Sequence, residues 1–421
     1  MIRNILSSSK SCVLVISKCY STKSADGPLK GIKVLDLSRI IAGPMCTLML
    51  ADLGADVYKV ENPGRGDDSR RWPPIFKDGQ SSSTFIALNR NKKSICVDFK
   101  TKDGQELLKK MAEKCDVLVE NYVPGVLKKY SLDYDSLKEV APHLVYCSLT
   151  GFGSKGPYAN KPGVDLIAAS LSGNLYITGP EDGEPCRSGT STIDIMTGLR
   201  ANAAIIAALY DKAKTGRGRK IDADLFSTAV VSLKNYAVSY LNMNIDCKRL
   251  GTEHSYVVPY KCFKSKDSYI TVGAINDPQF KILAEIVGRP ELAQDEKFAT
   301  ATARSKNRKV LTSLFCDIFV TKTTKEWCAL LAGTPLPHAP LNGIKEVFED
   351  PHLKAIELVK EIDHPTLGKI KVLDSPVKFS DYESIPKPSP LLGQDTDEIL
   401  KNVLGFDDEK IQQLKTDKIV E

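Results

Sequence analysis

Asp194 stands near the start of the longest helical pattern in the chain, Ser191-Thr-Ile-Asp194-Ile-Met-Thr-Gly198-Leu and the alanine-rich stretch that follows to Lys214. Ser191 and Thr192 are suited to cap that helix, which places the acid in the first turn, where unpaired N–H groups and the positive dipole end favour its ionised form. Gly198, four residues on, shares its face, and a missing side chain there would let a substrate approach the carboxylate, as a nucleophile needs. Taken alone, an ordinary acid at a helix N-terminus is the plainer reading. Other chemistry is sparse. The five histidines are scattered, and no Cys-x-x-Cys or His-x-x-x-His pair exists, so no metal site is expected. His254 could line a pocket, but a histidine in such a Gly-Thr-Glu-His string more often caps or packs. Gly151-Phe-Gly153-Ser-Lys-Gly156 spells a dinucleotide fingerprint after a strand. It is rejected, because Pro157 and Pro162 interrupt the helix that would have to receive the pyrophosphate.

The elements around Asp194 read as an open, doubly wound parallel sheet. The run Ile32–Leu37 is strand-like, Pro44 suits the first turn of a helix from Met45 to Leu53, Gly54 ends it, and Ala55–Glu61 is a second strand. The rhythm recurs with strands at Ser94–Phe99, Asp116–Glu120 and His143–Leu149 and a helix at Asp103–Lys114. These apolar runs suit strands covered on both faces. Beyond a strand at Lys220–Phe226, a hairpin of Tyr256–Phe263 and Tyr269–Gly273 marks a smaller domain. Strands return at Lys369–Leu373 and Val377–Ser380.

The 421 residues, 42% hydrophobic and 26% charged, describe a globular protein rather than a disordered chain or a membrane bundle. The formal charge of +6 is concentrated at the start, where residues 1–25 carry Arg3, Lys10, Lys18, Lys23, many serines and no acid. Such a segment fits a mitochondrial transit peptide and a matrix location. Without it, 54 basic face 52 acidic side chains, a net +2 that gives no reason to expect nucleic-acid binding. The eleven cysteines lie far apart, many in apolar runs, as buried free thiols do.

Six ordered strings resemble the family III CoA-transferases: Asp36-Leu-Ser-Arg-Ile-Ile-Ala42-Gly-Pro, Asp52-Leu-Gly-Ala-Asp-Val-Tyr-Lys-Val-Glu61, Gly66-Asp-Asp-Ser-Arg70, Asn89-Arg-Asn-Lys-Lys-Ser-Ile95, Val119-Glu-Asn-Tyr-Val-Pro-Gly125 and Leu391-Leu-Gly-Gln394. The resemblance implies an α/β fold with a Rossmann-like large domain in two segments, residues 28–225 and 331–421, the second including a return linker. Residues 226–330 would form a linker and a smaller α+β domain, and two chains an interlocked homodimer. It implies transfer of CoA from succinyl-CoA to a dicarboxylic acid such as glutarate, with the CoA thioester as substrate and no bound cofactor. The family nucleophile, in a segment S-G-x-x-x-x-D, falls on Asp194 of Ser188-Gly189-Thr-Ser-Thr-Ile-Asp194.

CoA contacts carried over by the resemblance fall on Ile40, Val97, Asn121, Tyr122, Val126, Lys129 and Tyr130. Two family arginines are replaced, by Asn62 and Lys129, so Lys92, Lys93 and Lys100 enter as cations for the phosphates. A dicarboxylate calls for a guanidinium at its distal end, and Arg187 and Arg39 are the candidates. Related 2-methylacyl-CoA racemases pair the aspartate with a histidine in a G-H-D string, which here reads Gly163-Val164-Asp165. Valine moves no proton, so racemisation is disfavoured and Asp165 is left as an orienting acid. A non-catalytic CoA-binding protein is the other alternative.

Overall fold

A computed structural model describes residues 26–421. The chain forms two compact units. The larger is built from the residues up to Ser172, Ser188–Lys234 and Ile356–Glu421; the smaller from Gly173–Arg187 and Asn235–Ala355.

In the larger unit, β1 (Lys33–Asp36), β2 (Asp56–Glu61), β3 (Lys93–Cys96), β4 (Val117–Glu120), β5 (Val145–Thr150) and β6 (Lys220–Asp224) make one sheet in the order β3-β2-β1-β4-β5-β6. Every pairing in it is parallel, as in Val34↔Val57 and Val34↔Val117. Side chains alternate between two covered faces, which is why β4 and β5 are mostly apolar, while β2 and β6 carry charged residues among their apolar ones. Leu35, Tyr58, Val60, Ile95 and Leu118 point to one core, shared with α2 (Lys102–Lys114) and the C-terminal helices Thr396–Leu404 and Asp408–Thr416. Val34, Val57, Val117, Val119 and Val145 point to the other, under α1 (Ala42–Asp52) and α4 (Thr192–Thr215), with α3 (Asp165–Leu171) alongside. By length and composition α4 could cross a membrane, but Ile193, Ala201, Ile205 and Ala208 are buried on the sheet.

The strand order reverses between β1 and β4, so the loops leaving their carboxyl ends diverge and open a crevice, the usual ligand position in such sheets. Two strand assignments need correction. The third strand is shorter than Ser94–Phe99: it ends at Cys96, and although the Val97 N–H still bonds the Glu61 carbonyl, Val97 and Asp98 turn to pair with Val420 and Ile419. Val377–Ser380 is not a strand: Pro376 removes a donor, and the Val377 N–H turns back to Ser375 Oγ at 3.3 Å. The partner of β11 (Gly368–Leu373) is instead β10 (Val359–His364), antiparallel to it.

The smaller unit carries the expected hairpin, β7 (Tyr260–Lys264) with β8 (Tyr269–Gly273), extended by β9 (His338–Pro340), but its first strand begins at Tyr260, after Pro259, rather than at Tyr256. Its core is aromatic, with Phe263, Phe315, Phe319 and Trp327 in mutual contact. The nine described cysteines are free thiols. Burial pushes Cys96 up to about 12, so it behaves as a small hydrophobe.

Candidate functional site

At the carboxyl edge of the sheet a cleft of about 420 Å³ is lined by Arg39 after β1, Asn62 after β2, Phe99 and Lys100 after β3, and Tyr122, Val126 and Tyr130 after β4. Phe99 meets Tyr122 and Tyr130 edge-on, with centroids 6.0 and 5.3 Å apart. The Arg39 guanidinium lies 5.0 Å from the Tyr122 ring centroid. An aromatic wall beside cations suits a planar heterocycle carrying phosphates.

Of the residues expected to touch CoA, Tyr122, Val126 and Tyr130 line this cleft. The Asn121 amide is used within the protein, accepting from the Arg39 N–H (2.8 Å) and donating to the Arg39 carbonyl (2.7 Å), which ties the two diverging loops together. Ile40 sits in the same loop at φ 72°, an uncommon conformation for a β-branched residue. Val97 is fully buried and its N–H is donated to the Glu61 carbonyl, so its side chain belongs to the core rather than to a ligand surface. Lys129 is exposed on the turn Leu127–Tyr130 and is not among the cleft-lining residues.

The phosphate cations are also redistributed. Lys92 is buried, and its ammonium donates to Asp36, Thr47, Asn89 and the Pro44 carbonyl; burial lowers it to about 8. It cannot reach a phosphate without abandoning those partners. Lys93 pairs with Glu398 at 2.6 Å. Lys100 does line the cleft, joined by Arg65 and Lys418, which sequence reasoning passed over. Arg39 and Arg65 share Asp68, at 2.9 and 3.0 Å, whereas Lys100 and Lys418 enter no ion pair among the described residues. Arg39, a candidate for the distal carboxylate, thus lines this cleft, away from any contact with Asp194 among the described residues. Arg187 is exposed and falls in the smaller unit.

Asp194 lies in the first turn of α4, half-buried. Burial, and then the Asp165 carboxylate, push its carboxyl up to about 7, so the helix start does not favour its ionised form as the sequence led one to expect. The helix start is held in an unexpected way: Ser191 makes no capping bond, and the Thr192 hydroxyl turns to Ser188 Oγ. Asp165, from α3, accepts the N–H groups of Ile193 (2.8 Å) and Asp194 (3.2 Å) in their place. Gly198 also differs from expectation. A Cβ there would lie 2.6 Å from the Ala42 carbonyl and 3.1 Å from Met45 Cβ, so the glycine serves close packing of α4 on α1 rather than substrate access. Asn202 donates to the Cys46 carbonyl one turn on (3.4 Å), so the two helices run in the same direction and both begin at the carboxyl edge of the sheet. His254, in the smaller unit, accepts the N–H groups of Tyr256 and Val257 on Nδ1 and so caps its own turn.

Asp165 makes a testable contribution. Asp165→Asn keeps an oxygen for the helix N–H groups but removes the like charge facing Asp194. Any step that needs Asp194 ionised should then have its acid limb move down from about pH 7 by roughly one unit. A pH–rate profile unchanged in this variant would assign the raised pKa to burial alone.

The fold and this edge define a CoA-transferase. The chain belongs to CoA-transferase family III, whose sequence model matches residues 29–396. It is similar to the human succinyl-CoA:glutarate CoA-transferase, 45% identical over 395 residues that cover 94% of this chain and 90% of that one. It is also similar to the succinate–glutarate CoA-transferase of Agrobacterium fabrum, 37% identical over 382 residues covering 89% and 95%. Among solved structures, a CAIB/BAIF family protein from Brucella suis superposes with a TM-score of 0.80 at 40% identity, covering 90% of this chain and 100% of that one.

Proposed function

We propose that this enzyme moves CoA from succinyl-CoA to a dicarboxylic acid, with glutarate the favoured acceptor, and that Asp194 is the covalent carrier. The observation that carries the mechanism is a carboxyl group in the first turn of α4, pushed up to about 7 by burial and the neighbouring Asp165. Partial desolvation makes a carboxylate a better nucleophile than it is in water. The Asp194 carboxylate attacks the thioester carbonyl and expels CoA thiolate, leaving a mixed anhydride. The thiolate then attacks the aspartyl carbonyl and releases succinate, leaving an aspartyl-CoA thioester. The acceptor carboxylate takes the same route in reverse. One thioester replaces another, so the exchange is nearly balanced in free energy.

The relatives from human and A. fabrum, both named for succinate and glutarate chemistry, support this choice of donor and acceptor. Tyr122, Lys100 and Lys418 supply a stacking face and cations for CoA. Arg187 is proposed for the distal carboxylate on its sequence spacing. Val164, where a racemase would carry histidine, stands just before α3 without a capping bond and has no proton to transfer. The proposal includes a matrix location; its motivation, residues 1–25, lies outside the described residues. It also includes an interlocked homodimer. The apolar residues Leu241 and Met243, 78% and 60% exposed on the helix Asn235–Met243, fit burial by a second chain. A dilution series yielding folded monomer would contradict the dimer.

The deciding experiment incubates the enzyme with succinyl-CoA and a panel of dicarboxylic acids and follows new acyl-CoA by mass. Glutaryl-CoA should dominate; absence of transfer to every acid would end the proposal. Lys100→Ala should weaken binding of CoA by about tenfold but leave that of dephospho-CoA less affected, if the lysine meets the ribose phosphate.

A further inference from the structure

Of the five residues between β1 and α1, the three central ones, Ser38, Arg39 and Ile40, have little backbone freedom left. Asp36 accepts the Ser38 N–H at 3.0 Å, and Lys59 Nζ donates to the Ser38 carbonyl at 3.0 Å. Asn121 holds both the N–H and the carbonyl of Arg39. Asp67 accepts the Ile40 N–H through both carboxylate oxygens, at 3.2 and 3.3 Å. Five consecutive backbone groups of this loop, buried at Ser38 and partly exposed at Arg39 and Ile40, are thus bound by four side chains.

Two of these side chains are partners of each other. Lys59 and Asp67 form an ion pair of 2.8 Å whose side chains are 1% and 0% exposed. Burial alone would raise the Asp67 carboxyl, yet the Lys59 ammonium and the bonds from Ser69 hold it well below the ordinary carboxylate range. Burial opposes the charge on Lys59 as well, and Asp67, Asp36 and Glu61 overcome that, raising its pKa. A buried ion pair is seldom worth its desolvation as a source of stability, so its placement calls for another reason. Both ends reach the same loop, and the residue that Asp67 holds, Ile40, is at φ 72°, where a β-branched side chain is disfavoured.

We infer that the Lys59–Asp67 pair is a positioning device that fixes the Ser38–Ile40 loop in its CoA-binding shape before the substrate arrives. Neither residue faces the cleft. Lys59 sets the loop through Ser38 and Asp67 sets it through Ile40, and Arg39, carried between them, is presented beside Tyr122. The inference rests on the reading of this cleft as the CoA site. Without the pair the left-handed Ile40 would relax, and only the fraction of enzyme that revisits the strained loop would bind, which lowers the apparent affinity by that fraction.

The test uses the Lys59→Met/Asp67→Ala double variant, which leaves no lone buried charge. Its affinity for CoA, measured by calorimetry, should fall by about tenfold, the population penalty of left-handed backbone for a non-glycine residue, while kcat at saturating succinyl-CoA changes by less than about threefold. Adding Ile40→Gly, which accepts a positive φ without penalty, should restore affinity to that of Ile40→Gly alone. An unchanged affinity in the folded double variant would overturn the inference, and so would a failure of glycine to rescue it. Hydrogen exchange on the parent enzyme gives a test that needs no variant. Without ligand, the amides of Arg39 and Ile40 should exchange as slowly as those of β1. Exchange at loop rates that slows only when CoA is added would mean that CoA orders the loop, and would equally overturn the inference. If instead the cleft is not the CoA site, Tyr122→Ala and Lys100→Ala will leave CoA affinity at the parent value while those amides stay protected.

Discussion

Asp194→Ala is expected to lower CoA transfer by on the order of 10⁴-fold or more, because a covalent carrier has no substitute once its carboxylate is gone. CoA affinity should stay close to that of the parent, since the cleft at β1 to β4 is built without Asp194. Hydroxylamine added during turnover should trap an acyl hydroxamate on the tryptic peptide that holds Asp194. Full turnover in the alanine variant, or an unmodified peptide alongside robust activity, would reject the carrier. The raised carboxyl gives a second signature. Only the ionised form attacks, so kcat/KM should climb as pH rises through about 7. Stability should run the other way. The folded state keeps its proton up to about pH 7 and the unfolded chain releases it near the ordinary aspartate value, so this group costs stability as pH rises between the two. Asp194→Asn should therefore melt higher than the parent at pH 8, by roughly 2 °C or more, and match it near pH 4.

The parallel sheet was legible because both of its faces are covered. An apolar run such as Val117–Val119 shows it without knowledge of its neighbours. The helix start at Asp194 was legible from its neighbours, but they made it an ordinary acid there, and only the family resemblance marked it as a carrier. Roles decided by distant chain were not legible. Nothing near Ser191 reveals that Asp165 of α3 will cap α4, nor that Gly198 will meet the Ala42 carbonyl. Lys92 reads as part of a basic edge in Asn91-Lys92-Lys93, yet one lysine turns into the core toward Asp36 and the next turns out toward Glu398. Alternation along a strand places them on opposite sides, but only the tertiary structure says which side holds a buried carboxylate. The third strand ended early for the same reason, because its last residues pair with the chain's own C-terminus.

Arg70→Met should be the most damaging change to stability at the carboxyl edge. Glu61, the last residue of β2, is 3% exposed and receives four bonds: Arg70 Nε at 2.8 Å, Arg70 Nη2 at 2.7 Å, Ser94 Oγ at 2.7 Å and the Asp67 N–H at 2.9 Å. Burial would raise the Glu61 carboxyl, but its bonds and charge contact with Arg70 bring it below the ordinary value. That contribution is present above the unfolded glutamate pKa and fades as pH falls through the folded one. Methionine can fill the guanidinium's place over Phe85, now 3.6 Å from the ring centroid, but it leaves a buried carboxylate without its cation. The expected loss is about 3–5 kcal/mol at pH 7.5, read from urea unfolding. Near pH 4.5 the deficit should shrink, because the stranded Glu61 takes up a proton at a higher pH than its parent does. Glu61→Gln/Arg70→Met, which removes both charges, should recover most of the stability, since the cost lies in the unpaired ion rather than in the missing pair. A single variant as stable as the parent at pH 7.5 would show that water reaches Glu61 and would remove the argument that this edge is dry. The Asp67 N–H is one of the groups Glu61 accepts, so the same variant should also loosen the pair that holds Ser38–Ile40 and weaken CoA binding along with the fold.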